Sequence, residues 1–488
     1  LMLDGAQANP VCRWGPQAER TRVLYQSFRS SRCGYCNDET AVTAWMVGYS
    51  VPVGLYQELM NHGWQRLGTA FSVCSMPATC CPQYASRTDV TRFQLTASQR
   101  RTLRRVLRFV GGRCGPKPDK LSAAELDAEA LAEAELSLAA AGPPDSRKAR
   151  HLRWRRRLDR LRQRAASAES PDAELSRLLA ESAARRLRRR QRNSAHSLAD
   201  YARAFARLDP GRFQVRWLSP DSRELQDSLH DEYACYLTYQ QSVHRDVDFD
   251  WSFRHFCDVM VSTCLAAERA TGRGTYHVQY WLGDRLLGVD IVDVLADSAS
   301  SMYFFYNPEL LRLSPGSFSA LHLLSRLSTW HLSFPQGPPM RYLYLGCYVP
   351  GNRKLAYKSG LRPFQLLCPE TRRWFDFDTV CRGLLLANAG SKYARFAPPA
   401  ADPAAAAALE ASSAAAARDA LKVRLPGPSG GLVQPKFVAV RDLPDGAFGR
   451  STAAALDLLG QLAELVGPDA ARQLAVVLEV ALLLQGGG

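Results

Sequence analysis

The sequence predicts a mixed α/β (α+β) protein. A small cysteine-bearing N-terminal unit is followed by a larger unit with a mixed, mainly antiparallel sheet, and a basic helical insertion joins them. Three observations predict it. Cys33-Gly-Tyr-Cys36 and the doublet Cys80-Cys81 place four thiols in the first hundred residues. Three consecutive strand-like runs occur between Thr275 and Tyr306, then a helical period, then another strand. Between these regions, residues 147–192 hold 17 Lys/Arg against 5 Asp/Glu. The divisions follow composition: 11–113 a cysteine-rich unit, 114–211 the basic linker or insertion, 212–395 the sheet-bearing unit, and 396–488 an Ala-rich linker with a helical tail.

In the first unit, Tyr56 to Met60 reads as a helix with Gly63 at its C-terminal turn. Gly68 to Val73 reads as a strand. Thr96 caps a basic helix running to Val110. In the insertion, Ala123 to Ala141 is helix-prone, and Arg147 to Arg164 and Arg185 to Arg192 are arginine-dense. This stretch reads as a solvated linker or as a clamp on an RNA backbone, whose phosphates guanidinium groups neutralise. In the larger unit, Glu224 to Val243 reads as a helix. Thr275 to Leu282, Arg285 to Leu295 and Ala299 to Tyr306 read as strands, the first two joined by a Gly283-Asp284 hairpin turn. Ser317 to Leu332 has helical spacing, and Arg341 to Val349 is a further strand. A meander, a helix and a strand in this order match an acyltransferase-like (GNAT-like) core. Residues 398–433 read as flexible and 450–485 as two helices.

The chain has 488 residues and a formal charge of +15, of which the 147–192 segment alone supplies +12. The charge argument is therefore local. No run of eighteen apolar residues occurs, so no membrane span is expected. Leu1 to Pro10 lacks the basic-then-apolar order of a secretion signal. Thirteen scattered cysteines fit a reducing compartment, cytoplasmic or nuclear, rather than a disulfide framework. Oligomeric state is not legible.

Cys33 and Cys36 can chelate one ion, because two intervening residues turn the sulfurs together. Adjacent Cys80 and Cys81 suit a single tetrahedral zinc less well, and Cys74 or Cys12 could substitute for one of them. Buried thiols without a metal are the alternative. Tyr236, Tyr239 and Val243 share a helix face, which favours packing. Tyr239, Gln240 and His244 could also stack on bases or bond an aminoacyl group. Strand alternation puts His277, Gln279 and Trp281 on one face. Asp290 and Asp293 lie in an apolar strand, where a carboxylate needs a partner. Three positions apart, they should face opposite ways. Ser317 opens a helix whose free N–H groups could hold a phosphate. Tyr344 to Tyr348 leads into a basic-aromatic run with Lys358 and Arg362. There is no Walker A loop, Rossmann fingerprint, His-Glu-x-x-His or Gly-x-Ser-x-Gly, and the glycine–arginine loop for acetyl-CoA is absent. ATP, NAD and acetyl-CoA are not expected.

These pieces occur in a specific order: Cys33 to Cys36, Tyr56 to Trp64, Thr79-Cys-Cys-Pro-Gln-Tyr84, Phe93 to Arg105, Tyr236 to His244, Tyr276-His-Val-Gln-Tyr-Trp281, Asp293, Tyr303, Tyr306, Tyr344 to Tyr348, Tyr357-Lys358 and Leu366 to Pro369. The ordered set resembles the arginyl-tRNA–protein transferase family. The chain departs from the family pattern at Thr238, Val278, Asp290 and Pro350 to Leu355. The resemblance implies transfer of arginine from Arg-tRNA to the α-amine of proteins beginning with Asp, Glu or oxidised Cys, as a signal for ubiquitin-dependent degradation. It implies zinc or an iron–sulfur cluster on Cys33, Cys36, Cys80 and Cys81. On this reading Asp293, with Asp290, orients the arginyl group, and His277, Gln279 and Tyr348 line the reacting cleft. Lys358 and Arg362 face the acceptor's acidic side chain or tRNA phosphate. Two other readings are a non-catalytic tRNA-binding or degradation adaptor and an acetyl-CoA-dependent acyltransferase.

Overall fold

A computed structural model describes residues 20–36, 40–113, 144–194, 196–244, 252–388, 393–398, 403–425, 437–444, 447–448 and 451–478. The readings at Leu1 to Pro10, Cys12 and Ala123 to Ala141 lie outside these residues. The chain is α+β, with two mixed sheets.

The first sheet is built from β1 (Thr21–Arg32), β2 (Thr40–Tyr49), β3 (Gln65–Leu67), β4 (Ala70–Cys74), β13 (Lys422–Arg424), β14 (Phe437–Ala439) and β15 (Leu474–Leu478). Its seven strands lie in the order β14-β13-β15-β1-β2-β4-β3. The expected strand after Gly68 is β4, and the expected helix is Val53–Asn61. Residues near both ends of the chain share this sheet, since β15 runs parallel to β1 with Thr21 opposite Leu474. Helix Thr452–Ala471 packs on it beside Val53–Asn61, burying Trp64, Tyr25, Phe71, Leu459 and Leu462 in one core.

Two expectations near the C-terminus are corrected. The second helix expected within 450–485 is strand β15. It is buried on both faces, so it reads as an unbroken apolar run that periodicity cannot tell from a buried helix. The flexible reading of 398–433 gives way to helix Pro403–Ala420. Its alanines, low in sequence complexity, have the highest helix propensity.

The second sheet is built from β5 (Tyr84–Asp89), β6 (Phe213–Leu218), β7 (Gly274–Leu282), β8 (Arg285–Val294), β9 (Ser298–Tyr306), β10 (Tyr342–Tyr348), β11 (Phe364–Leu367) and β12 (Trp374–Asp376). Its eight strands lie in the order β12-β11-β5-β10-β9-β8-β7-β6. The meander β7–β8–β9 forms as expected, with Gly283 at φ +57° in the hairpin turn. Strand β5, from the cysteine-bearing region, lies inside this sheet between β10 and β11.

Helices Ala97–Val110, Leu198–Ala206 and Pro315–Ser328 cover one face of this sheet, and Arg223–Tyr239 covers the other. Thr96 caps the first with a reciprocal Gln99 capping box. The helix expected to reach Val243 ends at Tyr239 and continues as a wider π-turn, Gln240–His244. The arginine-dense stretches are helices Pro144–Ala165 and Pro171–Ser194, packed on each other through Leu161, Ala165 and Leu178. No helix is long and apolar enough to cross a membrane among the described residues.

Candidate functional site

Strands β9 and β10 pair in parallel only from Ser298–Tyr342 to Ser300–Tyr344. Beyond that they separate. The cause is local: β10 carries a bulge between Tyr344 and Cys347, with Gly346 at φ +63°. Only glycine adopts that left-handed conformation without strain, and a bulge bends the strand away from its neighbour. The gap leaves carbonyls on β10 without strand partners. Lys358 fills this role, its Nζ donating to the carbonyls of Leu345 (2.5 Å) and Cys347 (2.9 Å).

On one side of the gap, Asp290 is 1% exposed and accepts hydrogen bonds from Ser301 Oγ (2.8 Å) and Ser319 Oγ (2.5 Å). Burial raises its carboxyl to about 7, against the lowering effect of both hydroxyls and of the Lys358 ammonium. Burial likewise pulls Lys358 down from the usual lysine range. Tyr280 and Tyr357 also border Asp290, and the Tyr357 ring lies against Gly316 at the start of helix Pro315–Ser328. Ser301 is half-buried, so its hydroxyl bridges the carboxyl and the open edge of β9. Ser317 is half-buried in the first turn of the same helix.

Tyrosines gather at the open edge. Tyr239 meets Tyr306 edge-on at 4.9 Å and His244 at 5.4 Å, and Gln240 Nε2 donates to Tyr303 Oη at 2.7 Å. Lys354 Nζ donates to the Val243 carbonyl (2.7 Å), joining the loop after β10 to this segment. On the other side lies a pocket of about 330 Å³, lined by residues that include Trp64, Gln65, Arg66, Ser86, Ser300 and Gly346. Its wall holds a fully buried ion pair: Arg66 Nη2 and Nε donate to Asp293 Oδ1 (2.6 Å) and Oδ2 (2.9 Å).

The structure thus brings Tyr239, Gln240, His244, Asp290, Ser317 and Lys358 around one gap. It does not bring the other expected residues there. His277 Nδ1 lies 2.7 Å from Glu232 Oε2, and Gln279 Nε2 donates to Glu232 Oε1 (2.7 Å) and Ser228 Oγ (2.8 Å). Both are fully buried beneath helix Arg223–Tyr239. Tyr348 is 2% exposed and packs on Phe364 and Phe377. Arg362 is held bidentately by Asp378 on the surface. Asp293 belongs to the Arg66 pair, while Lys358 serves backbone carbonyls. Asp290 and Asp293 do face opposite ways.

Sequence reasoning missed Glu232, Ser319 and the pairing role of Arg66. Ser228 and Glu232, four apart within an expected helix, sit on the face that buries Leu225, Leu229 and Tyr236. That pattern could have flagged Glu232. Nothing in the sequence singles out Ser319.

The Sγ atoms of Cys33, Cys36, Cys80 and Cys81 all lie within 4.8 Å of one another, with Cys36 and Cys80 at 3.6 Å. A tetrahedron with zinc–sulfur bonds near 2.3 Å has sulfurs about 3.8 Å apart, so all four fit a metal or cluster. The adjacent pair serves together, and Cys74 is not in the group. A bound ion would cross-link the turn after β1 to the turn before β5. Tyr35 Oη lies 2.7 Å from Cys347 Sγ, tying this corner to β10. Anaerobically purified protein is expected to carry bound metal that the Cys33→Ser/Cys36→Ser variant lacks, as read by elemental analysis. Equal metal content in both would place the ion elsewhere.

The family model "Arginine-tRNA-protein transferase, N terminus" matches residues 31–101, and its C-terminus counterpart matches residues 231–368. Arginyl-tRNA--protein transferase 1 of Drosophila melanogaster is 29% identical over 411 residues, covering 74% of this chain and 84% of its own length. Arginyl-tRNA--protein transferase 2 of Arabidopsis thaliana is 23% identical over 456 residues, covering 72% and 74%. An aspartate/glutamate leucyltransferase of Campylobacter jejuni is 27% identical over 139 residues, covering 28% of this chain and 51% of its own. The N-terminal match spans Cys33, Cys36, Cys80 and Cys81, and the C-terminal match spans β7 to β11, including both walls of the gap. The chain belongs to the arginine-tRNA-protein transferase family.

Proposed function

We propose that this protein is an aminoacyltransferase that moves arginine from Arg-tRNA onto the free α-amine of a protein, in the gap between β9 and β10. The carrying observation is the gap itself, which joins a buried carboxyl near neutrality, a hydroxyl at the open edge and a group of tyrosines. Family membership supports the donor and the reaction class.

The arginyl ester is already activated, so the protein's work is placement and proton transfer. The acceptor α-amine, with a pKa near 8, is partly neutral at pH 7. Its nitrogen bonds to the ester carbon, and the bond from that carbon to the ribose oxygen breaks. The proton shed by nitrogen passes through the Ser301 hydroxyl to Asp290, and the ribose oxygen takes one in return. Tyr239 and Tyr306, with His244, offer faces for the terminal base of the tRNA. The Arg66–Asp293 pair shapes the opposite wall, so Asp293 orients the arginyl group through Arg66 rather than by touching it. The buried Glu232–His277–Gln279 network holds β7 against helix Arg223–Tyr239.

The acceptors are proteins beginning with Asp, Glu or oxidised Cys, and the product is a signal for ubiquitin-dependent degradation. The name of the leucyltransferase relative supports acidic acceptors, as does the Lys354 ammonium at the mouth. The test is transfer of labelled arginine from charged tRNA to peptides that differ only in the first residue. The expected result is labelling of peptides beginning with Asp or Glu, lost when the α-amine is acetylated. tRNA binding without transfer would support an adaptor. Acetyl transfer from acetyl-CoA would support the other acyltransferase reading.

A further inference from the structure

The hairpin of helices Pro144–Ala165 and Pro171–Ser194 carries most of the chain's charge excess, and the gap makes no use of it. Its apolar seam is consumed by packing between the two helices. Among the described side chains, Arg160, Arg164 and Arg188 stand exposed on it. Like charges three and four residues apart repel along a helix. The second helix offsets this with Glu174 and Glu181 pairing to Arg177 and Arg185. On the first helix, Trp154 is 50% exposed within the arginine run.

The hairpin is joined to a second basic surface. Helix Pro171–Ser194 touches helix Ala97–Val110, and Arg100 Nε donates to the His196 carbonyl (3.0 Å) just beyond the hairpin. Helix Ala97–Val110 contains five arginines and no acid, with Arg101, Arg105 and Arg108 exposed. Arg105 Nη2 donates to Ser314 Oγ (3.1 Å), the residue that opens helix Pro315–Ser328 beside the gap. Basic surface therefore runs from the hairpin, along one helix, to the edge of the candidate site. A 24-residue helix is about 36 Å long, far more than a three-nucleotide tail needs.

We propose that the hairpin and the outer face of helix Ala97–Val110 form one cationic track. The track holds the duplex body of the tRNA by its phosphates while the 3′ end enters the gap. The proposal rests on the arginine-transfer reading for its choice of RNA. Charge complementarity argues for a polyanion with a regular backbone, and the exposed Trp154 adds a stacking face. An anionic membrane is the weaker fit, because the hairpin's apolar stripe is already buried and cannot enter a bilayer surface.

The test uses the full chain and two triple variants: R160Q/R164Q/R188Q on the hairpin and R101Q/R105Q/R108Q on the adjoining helix. Both replace exposed side chains, and circular dichroism confirms folding. Each is expected to raise KM for full-length Arg-tRNA about tenfold. Each should also flatten the dependence of log affinity on log salt by roughly 0.9 for every phosphate no longer neutralised. With an arginylated minihelix reduced to the acceptor stem, the hairpin triple should change KM less than twofold. Wild-type affinity and salt slope in both triples would overturn the track. So would equal losses on tRNA and minihelix for the hairpin triple, or loss of binding to phosphatidylserine vesicles with tRNA binding intact. If the wild-type chain transfers no arginine, the functional reading fails. The track is still judged by tRNA binding and its salt slope.

Discussion

Replacing Arg66 by methionine is expected to destabilise the fold by about 3–5 kcal/mol, because it leaves the Asp293 carboxylate buried without its charge partner. The pair is wholly inaccessible, and both carboxylate oxygens are bound by the guanidinium. Thr275 Oγ1 adds a 2.8 Å bond to Oδ1, which cannot replace a cation. The arginine is further fixed by its Nη1 contact to the Gly68 carbonyl, and its backbone N–H donates to Tyr56 Oη (3.1 Å). Because Arg66 lies in β3 and Asp293 in β8, the bond joins the two sheets. Denaturant unfolding should show the loss as a fall in midpoint. The double variant Arg66→Met/Asp293→Leu should recover much of it, since replacing both charges removes the desolvation cost. A single variant as stable as the parent would show that the pair does not hold the sheets together.

Asp290→Asn is expected to lower the rate of arginine transfer by about a hundredfold or more, the usual weight of a general base. It should also change the pH profile. In the parent, Asp290 titrates near 7 and accepts a proton only when ionised, so transfer falls as pH drops through 7. The variant should lose that limb and keep only the one set by the α-amine near 8. Stability moves the opposite way. A carboxyl raised from about 4 when unfolded to about 7 when folded contributes stability below pH 4, and this is lost as pH rises through 7. A shift of three units corresponds to at most about 4 kcal/mol. The asparagine variant lacks this loss, so its Tm relative to the parent should rise between pH 5 and pH 8. Lys358, Tyr280 and Tyr357 border the carboxyl and remain in both proteins. Unchanged profiles of rate and Tm would remove Asp290 from the chemistry.

How much of this was legible in the sequence depended on whether the signal was local. The meander could be read because period-two alternation and Gly283-Asp284 act within a few residues. So could the helix after Thr96, whose capping box is contained in four positions. Strand β5 could not. Its residues Tyr84 to Asp89 are all buried, polar ones included, so no alternation marks it. Arg87 is stacked between Tyr342 and Trp374, more than 250 positions away. The cysteine site was legible as a set of four, because Cys-x-x-Cys and the doublet are themselves local. Its convergence depended on β1 and β2 pairing. For the carboxylates, burial in an apolar strand announced that a partner was needed. Whether that partner was the substrate or Arg66 was decided only by the meeting of β3 and β8. Asp290 acquired its hydroxyl partners in the same way, from a strand and a helix that the chain reaches later.

If arginine is transferred in the gap, the charged end of the tRNA lies where β9 and β10 part. Photocrosslinking reads that position, using Arg-tRNA with a photoreactive analogue at its terminal adenine, followed by peptide mapping. Adducts are expected on Tyr239, Tyr306 or the Gln240–His244 segment, competed away by unmodified Arg-tRNA. Competed adducts confined to residues outside that gap, in a protein that still transfers arginine, would contradict this placement.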